Sequence, residues 1–392
     1  MRKTIGTPEG TRDRLFSECA ACRQVEQAAT KLFRRRGYWE LTTPNVEYYD
    51  IIPAAGHPLS QEAMVKCVER TGKLLVLRPD NTVAIGRVAA TKLSSMSLPL
   101  RLYYNQTVFR SDDIHTGART EIDQCGVELI GAEGLRADLE MLSMAIDALE
   151  ACGVKDYHME IGHVAFFSAL LGELGAEPAE CGRLRRCVEQ KNYVAYRQLL
   201  KKWRDTPAGN ALWNLPRLFG GVEVLEQARG LTTQPEAQNA IAYLQNIYEV
   251  LDQAGLSGHV QFDLGLIQNM EYYTGMIFRG FVQGAGSNVI SGGRYDRLIG
   301  QFGKEIPATG FGLDVEAVAG CLTGPECAKP ETLIWYDLGF LREARAALEE
   351  LPDQTAMLSS GETPEAAETE ARQLGASRLV LIDAAGKREV QL

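Results

Sequence analysis

Two adjacent tyrosines, Tyr272 and Tyr273, have the residue type and spacing of a binding site. They lie in the stretch 263–279, between an apolar run typical of a strand and the turn-forming pair Thr274-Gly275. Tyrosine has an apolar body and a polar tip, so neighbouring tyrosines on a hairpin rim can line a pocket and orient a small polar molecule. The alternative is an edge hairpin with two packed rings, and the motif alone favours it. Polar residues elsewhere in the chain change that balance.

An amide and an acid are predicted to share one face of a strand. Over residues 121–130, Gln124, Gly126 and Glu128 alternate with Cys125 and other apolar residues. A carboxylate on such a face is buried or lines a pocket, where it needs a cationic or hydrogen-bonding partner. A bound ligand is one candidate for that partner.

A third group of polar residues follows a short predicted strand, in the peptide Arg-Pro-Asp-Asn-Thr at 78–82. The proline favours an extended or turn conformation, so Asp80 and Thr82 are expected at a strand end. Asp80 could receive an ammonium group there. Equally, Asp80 or Asn81 could cap the helix predicted over 83–91. The sequence alone leaves both roles open.

The elements that must position these residues alternate in type along the chain. The spacing of apolar residues predicts helices over 17–36 and 135–152. It predicts strands over 37–44, 64–68, 73–77, 98–110, 121–130 and 157–164. A largely helical insertion is predicted over about 165–256. Thr309 opens a strand that runs into a helix. The last sixty or so residues predict a small βαβαβ domain with a parallel sheet. We therefore expect a core over 1–322 and a small α/β domain over 331–392.

Composition excludes several classes of function. The 392 residues are 45% hydrophobic and 23% charged, which is ordinary for a globular protein. The net charge of −10 argues against a broad nucleic-acid surface, and basic clusters such as 34–36 and 183–186 are interpreted as solvated helix faces. Neither the cysteines nor the histidines have metal-ligand spacing, and no strand-GxxxxGK[ST]-helix unit is present. No membrane span or signal peptide is predicted, so we expect a cytoplasmic protein without metal or cofactor.

Taken together, these segments resemble the class II aminoacyl-tRNA synthetases, and specifically histidyl-tRNA synthetase, over nearly the whole chain. The first helix, strand and Pro44 resemble motif 1, which forms the dimer in that family, and residues 109–128 resemble motif 2. The peptides 270–275 (MEYYTG) and 291–296 (SGGRYD) are similar to the two signature peptides of the histidine enzyme. The resemblance implies an α+β fold with an antiparallel sheet flanked by helices. It also implies that the C-terminal domain is a trimmed anticodon-binding domain.

The resemblance further implies a histidine pocket, whose expected residues are Asp80, Thr82, Gln124, Glu128, Tyr272 and Tyr273. Acids and amides suit an amino group, while Glu128 and a tyrosine hydroxyl can hold both imidazole nitrogens. Arg110 is the expected contact for the ligand carboxylate. The usual arginine of the family for this carboxylate is missing, because Gln268 stands at its position.

The positions that resemble the nucleotide-binding residues of the family lack the cations that the family carries there. Ala317 replaces the motif 3 arginine, Asp314 replaces a glycine, and Ala118 and Thr120 replace basic residues of motif 2. Each lost clamp of this kind costs several kcal/mol of transition-state stabilisation in a dry site, so adenylate formation is expected to be lost.

This pattern resembles the paralogous family of ATP phosphoribosyltransferase regulatory subunits. That resemblance implies a non-catalytic scaffold that partners a short catalytic subunit in a hetero-octamer, with L-histidine as feedback effector and no tRNA. Two alternatives stay open on the sequence: an active histidyl-tRNA synthetase, and a free-standing histidine sensor.

Overall fold

The structure is a computed structural model that describes residues 6–54, 62–111, 119–267, 272–324 and 329–392, with backbone only at 53 and 54. The chain divides into two compact units, Met1–Gly324 and Pro325–Leu392. Among the described residues, no helix has both the length and the apolar character needed to cross a membrane.

The first unit is built on a nine-stranded sheet. Its strands run in the spatial order β1 (Trp39–Glu40), β5 (Leu100–Phe109), β6 (Glu121–Ile130), β12 (Ala308–Asp314), β11 (Ile290–Arg294), β10 (Met276–Val282), β7 (Tyr157–His163), β9 (Val260–Asp263) and β8 (Phe219–Gly220). The pairs β1–β5 and β7–β9 are parallel and the other pairs are antiparallel. The predicted antiparallel sheet flanked by helices is thus observed.

One face of this sheet carries the main hydrophobic core. The helices that pack in the unit are α1 (Ser17–Arg35), α2 (Ile51–Ala54), α3 (Asn81–Ala90), α4 (Gly134–Ala151) and α11 (Val315–Ala319). Helix α1 buries Val25, Ala29 and Phe33, because these residues recur every three or four positions. The Phe33 ring lies 6.0 Å from that of Phe311 on β12 and 6.1 Å from that of Tyr103 on β5. Alternate strand residues, such as Leu102, Tyr104 and Ile130, point to the other face, where they form a second buried cluster with Val83 and Ile85 of α3.

The predicted helical insertion consists of six helices and shares its core with the sheet. These are α5 (Val164–Leu174), α6 (Pro178–Glu189), α7 (Tyr193–Leu200), α8 (Pro207–Asn214), α9 (Glu223–Arg229) and α10 (Pro235–Gln253). Buried residues of α5, α8 and α10, such as Phe166, Leu212 and Leu244, belong to the same cluster as Phe33.

The first unit also contains a small three-stranded sheet, which a buried arginine connects to the large sheet. It comprises β2 (Val46–Tyr48), β4 (Leu74–Leu77) and β3 (Lys66–Val68), with β4 in the centre. Arg78, which follows β4, is fully buried. Its guanidinium donates to the backbone oxygens of Thr43 (2.8 Å), Pro44 (3.0 Å) and Thr107 (2.7 Å), and to Oε1 of Gln106 (2.9 Å). Arg78 therefore ties residues 43–45 to the end of β5.

The second unit is a four-stranded sheet with two helices. Strands β14 (Ala356–Leu358), β13 (Thr332–Tyr336) and β15 (Arg378–Asp383) are parallel, and β16 (Gly386–Gln391) adds an antiparallel edge. Helices α12 (Leu341–Glu349) and α13 (Pro364–Leu374) are those of the predicted βαβαβ pattern. Strand β16 was not predicted, because its run Gly-Lys-Arg-Glu-Val-Gln has one apolar residue and pairs along an exposed edge.

The prediction of a hairpin over 263–279 is wrong. Strand β9 ends at Asp263 and β10 starts at Met276, but β7 lies between them in the sheet and pairs with both. Residues 268–271, which include Gln268, lie outside the described part of the chain. Two strands that are consecutive in sequence and separated by a turn signal look like a hairpin, although a parallel pairing of β9 with β7 excludes it.

We predict that Arg78→Met destabilises the protein by roughly 3–5 kcal/mol, because methionine fills similar space but leaves several buried acceptors without a donor. Urea unfolding of the purified chain measures the loss. Arg101→Met is the matched control, since the ion pair of Arg101 with Glu140 is partly exposed, at 36% and 31%, and should contribute less than about 1 kcal/mol. Equal effects of the two substitutions would contradict an anchoring role for Arg78.

Candidate functional site

A buried carboxylate, Glu128, lies on the face of the large sheet that packs against α3. Its side chain is 1% exposed. Thr82, in the first turn of α3, donates to Glu128 Oε1 at 2.6 Å, and the Tyr295 hydroxyl donates to Oε2. Strand β6 places Glu128 directly opposite Leu102 on β5 and Gly310 on β12. Three segments that are distant in sequence therefore converge on one acid.

Burial raises the pKa of Glu128 to about 8, because the charged form loses its hydration. The hydrogen bonds from Thr82 and Tyr295 act in the opposite direction, and the negative charge of Asp80 adds to the increase. The carboxyl group is consequently protonated over much of the neutral range. A cationic or hydrogen-bonding ligand beside it would favour the ionised form.

The first turn of α3 carries the other acid of the site. Asp80 is the N-cap, and its Oδ1 accepts a hydrogen bond from Val83 N at 2.9 Å. Asn81, next along the chain, donates to Gln124 Oε1 at 3.3 Å. Arg110 lies beside this turn, with Nε donating to Pro79 O at 2.8 Å and Nη2 at 3.7 Å from Asp80 Oδ2. The capping role considered for Asp80 is thus observed.

Four tyrosines form the aromatic wall of the site. The Tyr272 ring lies 5.0 Å from that of Tyr273 and 5.5 Å from that of Tyr295. Burial raises the pKa of Tyr272, Tyr273, Tyr295 and Tyr104, and the negative charge of Glu128 or Asp80 is the next cause in each case. All four phenols therefore stay protonated and can donate hydrogen bonds.

Glycines give this face the room that the polar groups need. A β-carbon on Gly310 would lie 1.9 Å from Glu128 Oε2, and one on Gly126 would lie 2.3 Å from the Tyr104 hydroxyl. A β-carbon on Gly293 would lie 2.9 Å from the Tyr273 ring. These glycines are neighbours across β6, β12 and β11, where Gly310 pairs with both Glu128 and Gly293. The sheet therefore has a floor without side chains between Glu128 and Tyr273.

The far end of β12 is acidic and is neutralised by arginines of the chain itself. Asp314 caps α11 by accepting from Ala317 N at 2.9 Å, and its other oxygen accepts from Arg119. Glu316 pairs with Arg119 at 3.2 Å and with Arg12 at 2.7 Å. Although burial acts to raise it, the pKa of Glu316 is lowered by these arginines. Ala317 contributes no charge at this junction.

Most of the residues predicted for the site lie together. Asp80, Thr82, Gln124, Glu128, Tyr272 and Tyr273 surround the glycine floor, and Arg110 borders it beside Asp80. Of the lost clamp positions, Thr120 lies under the N-terminal segment, with its amide donating to Gly10 O at 2.8 Å. Ala118 and Gln268 lie outside the described residues.

Sequence reasoning missed Tyr295 and Tyr104. Tyr295 belongs to the peptide SGGRYD, which was identified, but nothing in the local pattern says which of its side chains faces Glu128. The structure separates them, since Arg294 makes a bidentate contact with Asp138 (2.7 and 3.3 Å) and Tyr295 reaches the acid. Tyr104 could have been found from the alternation along β5, because it shares the face of Leu102 and Gln106. Among the described residues, no group of three or more His, Cys, Asp or Glu could hold a metal ion.

Comparison with known proteins agrees with this architecture. The profile of the histidyl-tRNA synthetase family matches residues 10–318. A relative from Clostridium novyi named ATP phosphoribosyltransferase regulatory subunit is 39% identical over 319 residues, which is 81% of this chain and 76% of the relative. This chain belongs to the histidyl-tRNA synthetase family, in the branch of the ATP phosphoribosyltransferase regulatory subunits.

Solved structures place the fold in the same family. The crystal structure from Bacillus halodurans, titled an ATP phosphoribosyltransferase regulatory subunit/histidyl-tRNA synthetase, is 31% identical, with a TM-score of 0.87 over 98% of this chain and 100% of that one. A histidyl-tRNA synthetase from a Nostoc species, at 17% identity, has a TM-score of 0.79 and covers 100% of this chain and 97% of its own length. The predicted class II synthetase-like fold is confirmed, and the relatives support a role as a regulatory subunit in histidine biosynthesis.

We predict that Glu128→Gln changes how stability depends on pH. The pKa of Glu128 is about 8 in the folded state, above the ordinary value of 4.5, so its protonation stabilises the fold at low pH. That contribution is lost as the pH rises through about 8, by up to a few kcal/mol. The difference in unfolding free energy between wild type and variant should therefore fall between about pH 5 and about pH 8.5, as measured by urea unfolding.

Glu316→Gln is the control for this measurement. Because the pKa of Glu316 is lowered, its contribution is present above the unfolded pKa and is lost only in acid. Its difference from wild type should be flat over the same pH range. A flat difference for Glu128→Gln as well would mean that Glu128 is ionised in the folded protein.

Proposed function

We propose that this chain is a non-catalytic regulatory subunit that activates a short catalytic subunit of ATP phosphoribosyltransferase and makes it sensitive to L-histidine. The relatives named as regulatory subunits support this role. The observation that carries the non-catalytic part is the pairing of Asp314 and Glu316 with Arg119 and Arg12 at the end of β12. These two carboxylates already pair with the nearby arginines, whereas a bound nucleoside triphosphate would need cationic side chains that are not paired in this way.

We propose that histidine binds over the glycine floor beside Glu128. A carboxylate and a phenol hydroxyl can hold the two imidazole nitrogens, since one nitrogen of the neutral ring donates and the other accepts. The α-amino group then lies towards Asp80 and Gln124, which supply an anion and an amide oxygen. Thr82, Tyr272 and Tyr273 complete the contacts. The ligand would satisfy a buried acid that is otherwise costly to ionise.

We propose that the chain forms a homodimer through the motif 1 region and joins the catalytic subunit in a hetero-octamer in the cytoplasm. Large apolar side chains are exposed on β1 and the small sheet. Trp39 and Val68 are each 71% exposed, and Tyr48 is 47% exposed. Exposed aromatic and aliphatic residues around an edge strand are typical of a protein interface. We propose no tRNA contact, in keeping with the net charge of −10.

We predict that the purified chain catalyses no histidine-dependent ATP–pyrophosphate exchange above background. Each missing cation costs several kcal/mol of transition-state stabilisation, and Arg119 and Arg12 are already engaged by the acids at 314 and 316. The exchange assay measures this directly, with an active histidyl-tRNA synthetase as the positive control. Robust exchange would favour the synthetase alternative and contradict the regulatory proposal.

We predict that adding the chain to a short catalytic subunit raises phosphoribosyl-ATP formation and makes it histidine-sensitive. Glu128→Ala should weaken the inhibition by histidine at least about tenfold, the scale expected for losing a charged hydrogen-bond partner. Glu226→Ala, which removes an exposed acid of α9, is the matched control and should leave inhibition unchanged. No change in activity on mixing would contradict the subunit proposal and favour the free-standing sensor.

A further inference from the structure

The carboxylate of a bound α-amino acid needs a cation in this site, and two acids, Glu128 and Asp80, lie where the imidazole and the amino group are proposed to bind. Burial raises the pKa of Glu128, and the negative charge of Asp80 adds to the increase. A ligand carboxylate next to Asp80 would be repelled. A buried anion is stabilised only by a cation or by several N–H donors, so the carboxylate must lie on the side of the floor away from α3.

The register of the sheet leads across that floor to Arg279. In one continuous row, Tyr104 on β5 pairs with Gly126, Gly126 with Gly312, Gly312 with Ser291, and Ser291 with Arg279 on β10. This row is two residues along from the row of Glu128 and Gly310, so it has the same face.

The row is covered at its β6 end and exposed at β11. The Tyr104 hydroxyl would lie 2.3 Å from a β-carbon on Gly126 and 3.1 Å from one on Gly312, whereas Ser291 has an exposed side chain. Neighbouring strands lie about 4.8 Å apart, so the backbone of Arg279 lies roughly 10 Å from that of Gly312. A ligand that contacts the Tyr104 hydroxyl beside Gly312 therefore lies on the same face as Arg279, two strands away.

Two acids, Glu160 and Asp263, act electrostatically on the Arg279 guanidinium. Burial lowers the pKa of Arg279, and the negative charges of Glu160 and Asp263 act in the opposite direction. Glu160 is its partner in register on β7. Burial raises the pKa of the Tyr273 hydroxyl, and the positive charges of Arg110 and then Arg279 both act to lower it, so both arginines lie near this ring. A guanidinium has five N–H donors in a fork, so it can keep its acidic neighbours and still receive a carboxylate.

We infer that Arg279 receives the α-carboxylate of an amino acid whose side chain lies against Glu128. This assignment rests on the proposed histidine site and names the residue that selects an amino acid over the corresponding amine. It replaces the expectation that Arg110 makes this contact. Arg110 is held by Pro79 O at 2.8 Å and lies 3.7 Å from Asp80, the acid that suits the ammonium group. The amino group and the carboxylate thus lie on opposite sides of the floor.

The test is a calorimetric comparison of L-histidine, histamine and L-histidinol. Histamine lacks the carboxylate, and histidinol carries a neutral hydroxymethyl group in its place. The wild-type chain should bind histidine at least about tenfold more tightly than either analogue, because the charged contact is absent from both. This arm needs no substitution. Equal binding of the three ligands would overturn the assignment while leaving an imidazole pocket in place.

Two substitutions identify the residue. Arg279→Gln should lower histidine affinity to the level of histamine and leave histamine affinity unchanged within about twofold. Arg279→Lys keeps the charge without the fork and should retain part of the preference. Arg183→Gln, which removes an exposed arginine of α6, is the charge-matched control and should bind as wild type does.

The failures of the two proposals are distinguishable. A wild-type chain that binds neither histidine nor histamine overturns the histidine site and this assignment together. An Arg279→Gln chain that keeps the preference for histidine, or that loses both ligands equally, overturns the assignment of Arg279 alone. Loss of the preference in Arg110→Gln instead would transfer the role to Arg110.

Discussion

The structure of the site depends on the burial of one carboxylate, Glu128, on the face of a sheet. The acid needs space and donors, and both come from residues far from it in sequence. Gly310 provides the space, because a side chain there would collide with the carboxylate at 1.9 Å. Thr82 and Tyr295 provide the donors from α3 and from the end of β11. Burying a carboxyl group destabilises its charged form, and a site that bears this cost without a permanent cation is one that a ligand can complete.

The acids at the end of β12 differ from Glu128 in the partners that stabilise them. At the end of β12, Asp314 and Glu316 have arginine partners within the chain, so the fold itself satisfies them. At Glu128 the partners are neutral hydroxyls, which bond to the acid but supply no positive charge that would favour its ionised form. An incoming cation or imidazole therefore gains more at Glu128 than at Asp314. This contrast favours an amino-acid ligand over a nucleotide, and it agrees with the alanine at 317, where the family carries a nucleotide-binding arginine.

The sequence predicts the local structure well where the alternation of apolar and polar residues decides it. Strand β6 was predicted with its observed bounds, and the burial of Glu128 followed from its alternation. Pairing between distant segments could not be predicted in this way. The parallel β7–β9 pair contradicted the hairpin, and the edge strand β16 lacked an apolar face. The contact of Tyr295 with Glu128 likewise depends on packing across 167 residues of sequence separation, for which no local signal exists.

Asp80 illustrates why the alternatives left open by sequence need not exclude each other. A carboxylate has two oxygens, and the structure uses them differently: Oδ1 caps α3 by accepting from Val83 N, while Oδ2 points towards Arg110. The cap fixes the rotamer of the side chain and hence the direction of the second oxygen. It also places the charge at a helix N-terminus, where the backbone dipoles stabilise an anion. Asp80 therefore acts as a cap with one oxygen, and this role leaves a binding role for the other oxygen compatible with the structure.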